Sequence, residues 1–487
     1  MVIQTELCLS LTPGVANRLA RHPLLSDATA VRERIVDLCY DTPDLRLRRE
    51  QVLVLCRKIG ARCLASVSRA VLTDFAAPKC ACPAHWEIAR EAGEPARFDF
   101  SPVTERRLRQ WLQSLHADLQ VTFTTSFTRN AWLLRPHEGV RIELMLDRGW
   151  IICLGRRQAL CEIGLKLVSG SPKDLFSLAS ELQTDFSLHP EAIARVERSY
   201  RVLADESLPA VKSSPVRIDA GTSATVYFRR IALACLRHLQ SNEQGLRQGD
   251  DPEFVHQARA AIRRLRSAIR IWRPLLPKDF VSRFDPRWRT LAEQLAEARH
   301  WEVFLTATLP TIAADLPEGV ASARLANYAQ RRSVINREAV RSTLQSDDYS
   351  RLLFGFTAAV LALPERDAAC LEARARALLD TSAAESGRLA AQLLAGDDSA
   401  ADRLRAAYKR LRYALEFFAP MFADQSRRDG RVAANGLPEL LARLNELARA
   451  VHLTEEALPG EPGEAIRDGL ERRRKALLAE LRAGSST

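Results

Sequence analysis

This 487-residue chain lacks the features expected of a membrane or secreted protein. No apolar run approaches the 18 or so residues that indicate a membrane-spanning helix. The first residues do not form the basic-then-apolar pattern of a secretory signal. Ten cysteines are present, but their spacing is unlike that of a disulfide-stapled domain. We therefore expect a cytoplasmic protein with no membrane partner.

Charge is not concentrated in one part of the chain either. The net charge is +11, and the excess of Lys and Arg is divided about equally between the two halves. Net charge alone therefore does not locate a binding site. With 47% hydrophobic and 27% charged residues, the composition is that of an ordinary soluble globular chain.

The chain changes character near residue 205. Before this point, short segments alternate polar and apolar residues, as half-buried strands do, and two helical stretches interrupt them. Residues 205–217 are rich in Pro and Ser and have no apolar period, which indicates a linker. After them, helical periods continue nearly to the C-terminus. We predict an α+β domain with antiparallel sheet at 1–204, a linker at 205–217, and an all-α domain at 218–485 that folds on its own.

One predicted helix of the second half carries its cations on a single face. At about 100° per residue, six of them fall within a sector of roughly 100°, along roughly 25 Å of axis. This cationic row consists of His256, Arg259, Arg263, Arg266, Arg270 and Arg273. The row contains no carboxylate, and Arg264 falls outside it, where we expect an exposed side chain. Cations held side by side repel one another, so they need an extended polyanion or many counter-ions. The alternative is that the row is an ordinary solvated helix face.

The cationic row has an imperfect second copy, 146 positions further along the chain. The matched residues are Arg259 with Arg405, Arg263 with Lys409, and Arg266 with Arg412. Asp402 and Glu416 stand where the first copy has His256 and Arg270. The spacing is too long for a solenoid repeat, so it indicates two related halves that each contribute one basic helix.

These two stretches resemble the two halves of a CHAD domain, a conserved-histidine α-helical domain. The first carries Glu253-x-Val255-His256-x-x-Arg259 followed by Arg-Arg-Leu-Arg at 263–266, and the second carries Lys-Arg-Leu-Arg-Tyr at 409–413. Leu-Asn-Glu-Leu at 444–447 resembles a further second-half element. The corresponding first-half element is altered, because His300 and Glu302 replace its two acids.

The resemblance covers about residues 218–485. It implies two four-helix bundles related by a pseudo-two-fold axis, with basic residues lining a central groove or pore that binds inorganic polyphosphate, and no known catalysis. Association with polyphosphate granules is a further expectation. The polyphosphate-binding residues that we expect are His256, Arg259, Arg263, Arg266, Arg270, Arg273, Arg299, Arg337, Arg341, Arg405, Lys409 and Arg412. Nucleic acid is a less favoured polyanion, since no aromatic residue is interleaved in the row for base stacking.

Several predicted strands of the first half place acids on one face. A period of two groups Glu143 with Asp147, and Glu162 with Lys166. Inside a closed barrel, converging carboxylates of this kind would suit Mg²⁺ or Mn²⁺. On an open sheet, the same face would be outward and solvated, and the spacing alone leaves both arrangements open.

Residues 1–204 resemble a CYTH domain, the triphosphate tunnel fold. The resemblance rests on Tyr-Asp-Thr-Pro-Asp at 40–44, Phe127-x-Arg129, Arg141-Ile-Glu143 with Asp147, and Cys161-Glu162. It implies an antiparallel β-barrel that hydrolyses or cyclises triphosphates with a divalent metal. In this chain, the metal ligands would be Glu6, Glu143, Asp147 and Glu162, with Arg62 and Arg129 as remaining basic residues of the tunnel.

The departures from the CYTH pattern concern the cations that would hold a triphosphate. Gln4 and Cys8 replace an acid and a lysine, while Val54, Cys56 and Ser68 stand where basic residues are expected. A triphosphate needs opposing cations to enter a tunnel and to react there. We therefore predict an inactive tunnel domain joined to a polyphosphate-binding domain. The alternative is a metal-dependent inorganic triphosphatase that its helical domain targets to polyphosphate.

Overall fold

The computed structural model separates into two compact units. It describes residues 6–69, 85–91, 97–191, 193–204, 209–216, 222–313, 320–365, 368–418 and 437–484. The first unit comprises Met1–Pro209 and Gln345–Ala362, and the second comprises Ala210–Leu344 and Leu363–Thr487. The division after Pro209 falls within the predicted linker, whereas the membership of Gln345–Ala362 in the first unit is not something that the sequence predicts.

An antiparallel sheet of ten strands is the framework of the first unit. The strands are β1 (Glu6–Ser10), β2 (Val31–Asp41), β3 (Val52–Ile59), β4 (Arg62–Arg69), β5 (His85–Glu91), β6 (Arg97–Asp99), β7 (Gln120–Leu134), β8 (Arg141–Cys153), β9 (Arg156–Ser169) and β10 (His189–Pro190). Their order across the sheet is β10-β1-β9-β8-β7-β2-β3-β4-β5-β6. The predicted α+β class with antiparallel sheet is thus confirmed, while closure into a barrel stays a prediction.

Helices accompany the sheet in the first unit and make up the regular structure described in the second. They are α1 (Pro13–Leu19), α2 (Arg46–Arg49), α3 (Arg106–Leu115), α4 (Pro172–Asp185), α5 (Arg195–Ala204), α6 (Ala224–Gln248), α7 (Pro252–Trp272), α8 (Lys278–Val303), α9 (Leu309–Ala313), α10 (Val320–Gln345), α11 (Asp347–Leu361), α12 (Ala368–Leu394), α13 (Ala400–Phe418), α14 (Leu437–Ala457) and α15 (Glu461–Gly484). The all-α prediction for the second half is confirmed. Among the described residues, no helix is long and apolar enough to cross a membrane.

Helix α11 packs on the first unit although its neighbours in sequence belong to the second. It contacts α4 and β10. Ser187 Oγ donates a hydrogen bond to Asp347 Oδ1 at 2.6 Å, and His189 Nδ1 lies 2.8 Å from Ser350 Oγ. Apolar side chains of α11 are buried, including Leu353. One helix of the region predicted as a single helical domain therefore belongs to the unit that contains the sheet.

Helix α7 forms where its sequence pattern predicts. Asp251 caps the N-terminus by accepting from Glu253 N at 2.8 Å, and Pro252 takes the first helical position, where it has no amide hydrogen to lose. The apolar side of α7 is buried, and its Trp272 reaches the core and donates from Nε1 to Ala224 O at 3.1 Å. Burial of that side leaves the cationic row on the opposite one.

The predicted linker is attached to the second unit at one point. Val211 N donates to Asn242 Oδ1 at 2.9 Å, and Asn242 Nδ2 donates back to Val211 O at 2.9 Å. Asn242 is fully buried in α6, where its Nδ2 also donates to His238 O at 2.7 Å, so its Oδ1 depends on Val211 for a hydrogen bond. The backbone at Val211 thus takes part in the packing of α6.

Candidate functional site

The predicted acids of the first half share one face of the sheet, but at two levels. Residues directly opposite one another in an antiparallel pair lie on the same face. The register places Glu162 opposite Asp147, and Asp147 opposite Arg129. One level away, Lys166 lies opposite both Glu143 and Glu6. We call the sheet face that carries these residues the acid face.

Arginines already hold the two most buried acids of this face. Arg129 donates to Asp147 from Nε and Nη2, both at 2.8 Å. Arg195 of α5 donates to Glu162 from Nε at 2.8 Å and to Asp147 from Nη2 at 2.5 Å, and Arg198 also pairs with Glu162. Burial opposes ionisation of these carboxyl groups, but the arginines outweigh it and lower the pKa of both Asp147 and Glu162. Both acids are therefore charged and paired.

Helix α5 brings these arginines to the acid face and covers the neighbouring part of it. Its Tyr200 packs with Cys39, Phe123, Ile151 and Cys153, all on the same sheet face. The Tyr200 hydroxyl donates to Asp41 Oδ2 at 2.8 Å, and burial is the main reason that the pKa of Tyr200 is raised. Arg195 and Arg198 were not predicted from the sequence, although their spacing of three along an amphipathic helix is a signal that could have found them.

The predicted metal ligands, all of which the structure describes, do not form a group of three that could hold a metal ion. Among the described residues, no group of three or more His, Cys, Asp and Glu side chains is arranged to hold a metal. Asp147 and Glu162 are occupied by arginine, and Glu143 lies opposite Lys166. Glu6 keeps contact with solvent, yet desolvation by the surrounding protein raises the pKa of its carboxyl, against the opposing effect of Arg129 and Arg195.

The alignment of basic positions on β3 needs a correction. Val54 and Cys56 were expected on the acid face, but both are buried in the core on the other side of the sheet. Cys56 also forms a disulfide with Cys63, which the cysteine spacing did not predict. The acid face of β3 instead carries Arg57, which donates to Asp37 from Nε at 2.7 Å and from Nη2 at 2.8 Å.

The remaining tunnel residues divide between the acid face and the undescribed N-terminus. Arg62 begins β4 on the acid face, opposite Ile59, and is exposed. Ser68 is on the acid face of the same strand, as expected. Gln4 lies outside the described residues. The acid face thus carries cations, but Arg57, Arg129, Arg195 and Arg198 all pair with acids of the protein.

A second constellation lies between α7 and α13 in the second unit. These two helices contact each other. Four of the predicted cations, which we call the central cluster, lie near one another: Arg259, Arg263, Arg405 and Lys409. Burial and then the neighbouring arginines lower the pKa of Lys409 to about 7 and that of Arg259 to about 10. The structure therefore brings Arg259 and Arg263 of the first row near Arg405 and Lys409 of the second.

Tyr413 of α13 holds two of the cations in place. Arg263 donates to its hydroxyl from Nε, and Arg412 Nη2 lies 3.2 Å from the same oxygen. The guanidinium carbons of Arg263 and Arg412 lie 5.9 Å and 4.9 Å from the centre of the Tyr413 ring. Tyr413 thus fixes the separation of the two rows with a neutral group, which leaves their charge uncompensated.

Two histidines and a further arginine flank the central cluster. Burial and Arg299 lower the pKa of His256, and burial and Arg449 lower that of His300 to about 3. Arg449 donates to His300 Nδ1 from Nε at 3.0 Å and from Nη2 at 2.6 Å. Both imidazoles are neutral at pH 7 and so act as hydrogen-bonding groups. Arg449 was not predicted, although it follows the Leu-Asn-Glu-Leu element at 444–447.

Among the described residues, the central cluster has few carboxylates around it, since only Arg405 is influenced by acids, namely Asp402 and Glu446. Within the described parts of the chain, none of its four side chains forms an ion pair with an acid. By contrast, Asp285 of α8 lies 3.4 Å from Arg266 and 3.6 Å from Arg273. The row has no acid in its own helix, as the sequence showed, but a neighbouring helix supplies one. Arg270 is exposed, beside Arg266 and Arg410.

The predicted cations of α8 and α10 are also paired. Arg299 lies 3.7 Å from Glu302, and Arg337 donates to Glu302 at 3.0 Å and to Asp250 at 3.0 Å. Arg341 donates to Asp250 at 2.8 Å and to backbone carbonyls at the C-terminal end of α6. Arg337 and Arg341 thus have partners within the protein. That they bind polyphosphate stays a prediction.

Comparison with known protein families agrees with the resemblance of the second half. The CHAD domain family matches residues 230–455. An inorganic triphosphatase of Haemophilus influenzae is 26% identical over 213 residues, which are 41% of this chain and 55% of that protein. The chain thus spans about half the length of this curated relative.

Two solved structures are similar to parts of the chain. The CHAD domain of the plant Ricinus communis is 29% identical with a TM-score of 0.47, covering 57% of this chain and 96% of that one. The adenylyl cyclase HpAC1 of Hippeastrum, described as having a dominant triphosphatase activity, is 13% identical with a TM-score of 0.28. That match covers 41% of this chain and 96% of the Hippeastrum chain.

Proposed function

We propose that this chain, whose residues 230–455 match the CHAD domain family, binds inorganic polyphosphate between α7 and α13. The proposal rests on the central cluster, because its four cations lie close together and none of them forms an ion pair with a described carboxylate. Such crowding is unfavourable in the empty protein and becomes favourable when a polyanion enters. Burial, and then this crowding, lowers the pKa of Lys409 to about 7.

A linear polyanion suits this arrangement better than a single compact anion. The cationic row follows the helix axis over roughly 25 Å, and the second row on α13 faces part of it. Neutral His256 and the Tyr413 hydroxyl add hydrogen-bonding groups beside the cations. In this proposal, the helices form two four-helix bundles related by a pseudo-two-fold axis, and polyphosphate lies in the groove between the rows.

The first unit takes no catalytic part in this proposal. Its resemblance to a CYTH domain, and the relationship to an inorganic triphosphatase, favour a barrel descended from a triphosphate-hydrolysing fold. Phosphoryl transfer depends on cations that neutralise the transferred group. Here Arg129, Arg195 and Arg198 are bound to Asp147 and Glu162, so neither the cations nor the acids are available.

A polyphosphate titration of the full-length chain tests the proposal. Arg263→Gln and Lys409→Gln should each weaken binding by about tenfold, the scale of one charge-assisted hydrogen bond. Arg403→Gln is the matched control, because Arg403 is exposed on the same helix and pairs with Asp397 at 3.0 Å. Affinity should fall steeply with salt, and each groove variant should have a shallower slope than the wild-type chain. Equal losses in Arg403→Gln would show diffuse charge and overturn the groove.

Nucleic acid is the competing polyanion, and the same titration separates the two. Aromatic platforms for base stacking are absent from the described central cluster except for Tyr413, whose ring is already engaged by two arginines. Polyphosphate should therefore displace labelled single-stranded DNA at fixed salt. Tighter binding of DNA than of polyphosphate at equal phosphate concentration would favour the nucleic-acid function instead.

A further inference from the structure

The sheet of the first unit has a depression on the face opposite the acid face. It has a volume of about 580 Å³ and lies over β2, β7 and β8. The lining side chains come from alternate positions of these strands: Arg32, Arg34, Ser126, Thr128, Arg148 and Trp150, with the backbone at 127 and 149 between them. A volume of this size lies within the range of small-molecule sites. None of the residues assigned to the acid face by the sequence lines it.

The register brings the arginines toward a common point. Thr128 lies opposite Arg34 on one side and opposite Arg148 on the other. The two arginine backbones are therefore two strand spacings apart, or about 10 Å, with a threonine hydroxyl between them. Arg32 follows on the same face of β2, about 7 Å along the strand. Side chains as long as arginine can converge over Thr128 from these positions.

The charged groups that line the depression are three guanidinium groups, which only donate hydrogen bonds. Arg32 and Arg34 are exposed and, within the described parts of the chain, form no ion pair. Arg148 donates from Nη1 to the amide oxygen of Asn17 at 2.6 Å, which orients its guanidinium without neutralising it. Three guanidinium groups with no carboxylate in the lining attract an anion that offers several oxygen atoms.

Trp150 adds an aromatic surface to this cationic depression. Its side chain is 48% exposed, which is unusual for a residue that proteins normally bury. In the register it stands two residues beyond Arg148 and opposite Ser126. An exposed indole about 7 Å along the strand from a guanidinium offers a stacking surface for a planar ring that is linked to a phosphate.

From this juxtaposition, we infer that the depression formed by Arg32, Arg34, Arg148 and Trp150 binds a nucleoside phosphate. The arginines hold the phosphate oxygens, the hydroxyl groups of Ser126 and Thr128 donate to them from below, and Trp150 stacks on the base. The site is separate from the central cluster, since it belongs to the other compact unit. It gives the first unit a binding role that does not depend on the paired residues of the acid face.

Calorimetric titration of the full-length chain with ATP, tripolyphosphate and adenosine tests this site. ATP should bind, and Arg34→Gln and Arg148→Gln should each weaken it by about tenfold, the scale of a charge-assisted hydrogen bond. Trp150→Ala should weaken ATP by about tenfold and leave tripolyphosphate unchanged, because only ATP has a ring to stack. Arg107→Gln, an exposed arginine of α3, is the matched control.

The groove between α7 and α13 could also take these anions, so the titrations are repeated in the Arg263→Gln, Lys409→Gln background. The loss caused by Arg34→Gln should be the same in both backgrounds. If the groove variants abolish ATP binding and Arg34→Gln leaves it unchanged, the proposed site is wrong. Absence of ATP binding overturns it as well, and tripolyphosphate binding as tight as ATP overturns the role of Trp150. Unchanged circular dichroism and Tm confirm that these surface variants remain folded.

Discussion

Arg195 donates from Nε to Glu162 Oε1 at 2.8 Å and thereby joins helix α5 to strand β9. Both side chains are largely buried, at 18% and 4% exposure. A buried ion pair tolerates the loss of one partner poorly, because the other charge is then left without compensation. The same contact that makes Glu162 unavailable to a metal is therefore also a determinant of stability.

Glu162→Gln should destabilise the protein strongly. It leaves Arg195 and Arg198 with one buried carboxylate fewer, and we expect the free energy of unfolding to fall by about 3–5 kcal/mol. Urea denaturation at neutral pH measures this change. Glu143→Gln is the control, since Glu143 lies on the same sheet face and forms no ion pair within the described residues. Similar losses in the two variants would contradict the structural role of the Arg195–Glu162 pair.

The purified chain should not hydrolyse tripolyphosphate, ATP or thiamine triphosphate faster than its Glu6→Gln variant. Glu6 is the most exposed acid of the predicted metal set, so its replacement would remove a surviving metal site without breaking an arginine pair. Phosphate release with Mg²⁺ or Mn²⁺ is the measurement. Turnover on the order of 1 s⁻¹, within the ordinary enzyme range, that vanishes in Glu6→Gln would restore the triphosphatase alternative.

Polyphosphate affinity should fall as the pH rises above 7. In the empty groove, burial and Arg405, Arg263 and Arg259 lower the pKa of Lys409 to about 7. A bound polyanion favours the charged amine and raises this pKa, so binding takes up a proton above pH 7. Affinity should then drop by up to about tenfold per pH unit until the pKa of the bound state is passed.

Lys409→Arg isolates the contribution of the amine to this pH dependence. Arginine stays protonated over the range from pH 7 to about 9, so the variant should bind with a nearly flat profile. Neutral His256 and His300 do not change charge there, since the pKa of each is already lowered. Titrations of both proteins across this range provide the comparison. Parallel slopes in wild type and variant would assign the effect to another group.

Replacement of Arg264 should lower the stability of the protein and have little effect on its affinity for polyphosphate. The helical pattern predicted an exposed residue outside the cationic row, but the structure corrects this, since Arg264 is 5% exposed and donates from Nε to Glu416 Oε1 at 2.6 Å. Arg264→Gln should lower the free energy of unfolding by about 1–3 kcal/mol and leave polyphosphate affinity within about twofold of wild type. A loss of affinity equal to that of Arg263→Gln would place Arg264 in the binding groove.

Helix α11 should behave in solution as part of the first unit. Phe354 is fully buried and lies four residues beyond Ser350, on the face that meets His189. Phe354→Ala should therefore cost about 3–5 kcal/mol and increase hydrogen exchange in α4 and β10. Arg351→Gln, an exposed position on the same helix, should leave exchange there unchanged. Increased exchange confined to α10 and α12 would contradict this assignment.

The position of α11 also bears on the prediction that the helical region folds alone. A fragment starting at residue 218 would retain α11 without α4, and would expose apolar side chains that the whole chain buries. For this reason, the binding tests above use the full-length chain. Comparison of Tm for the fragment and the whole protein measures how much α11 depends on the first unit.

Local periodicity in the sequence was enough to predict the elements and the faces that they present. The 3.6-residue period of 252–272 placed apolar residues on one side of α7 and cations on the other, because side-chain direction along a helix depends only on neighbouring residues. The period of two likewise placed Glu143 and Asp147 together. On β3, by contrast, the alignment assigned Val54 and Cys56 to the wrong face, since a one-residue slip reverses every side chain of a strand.

Only the tertiary structure decided which charged side chains form ion pairs. Asp285 reaches Arg266 from another helix, Arg195 reaches Glu162 from a segment 33 residues away, and Arg264 finds Glu416 across 152 residues. Nothing in the local pattern distinguishes these cations from Arg259 or Lys409, which no described acid approaches. Coulomb interactions depend on distance and burial in space, so the free and the neutralised charges become distinguishable only when the helices and strands are packed.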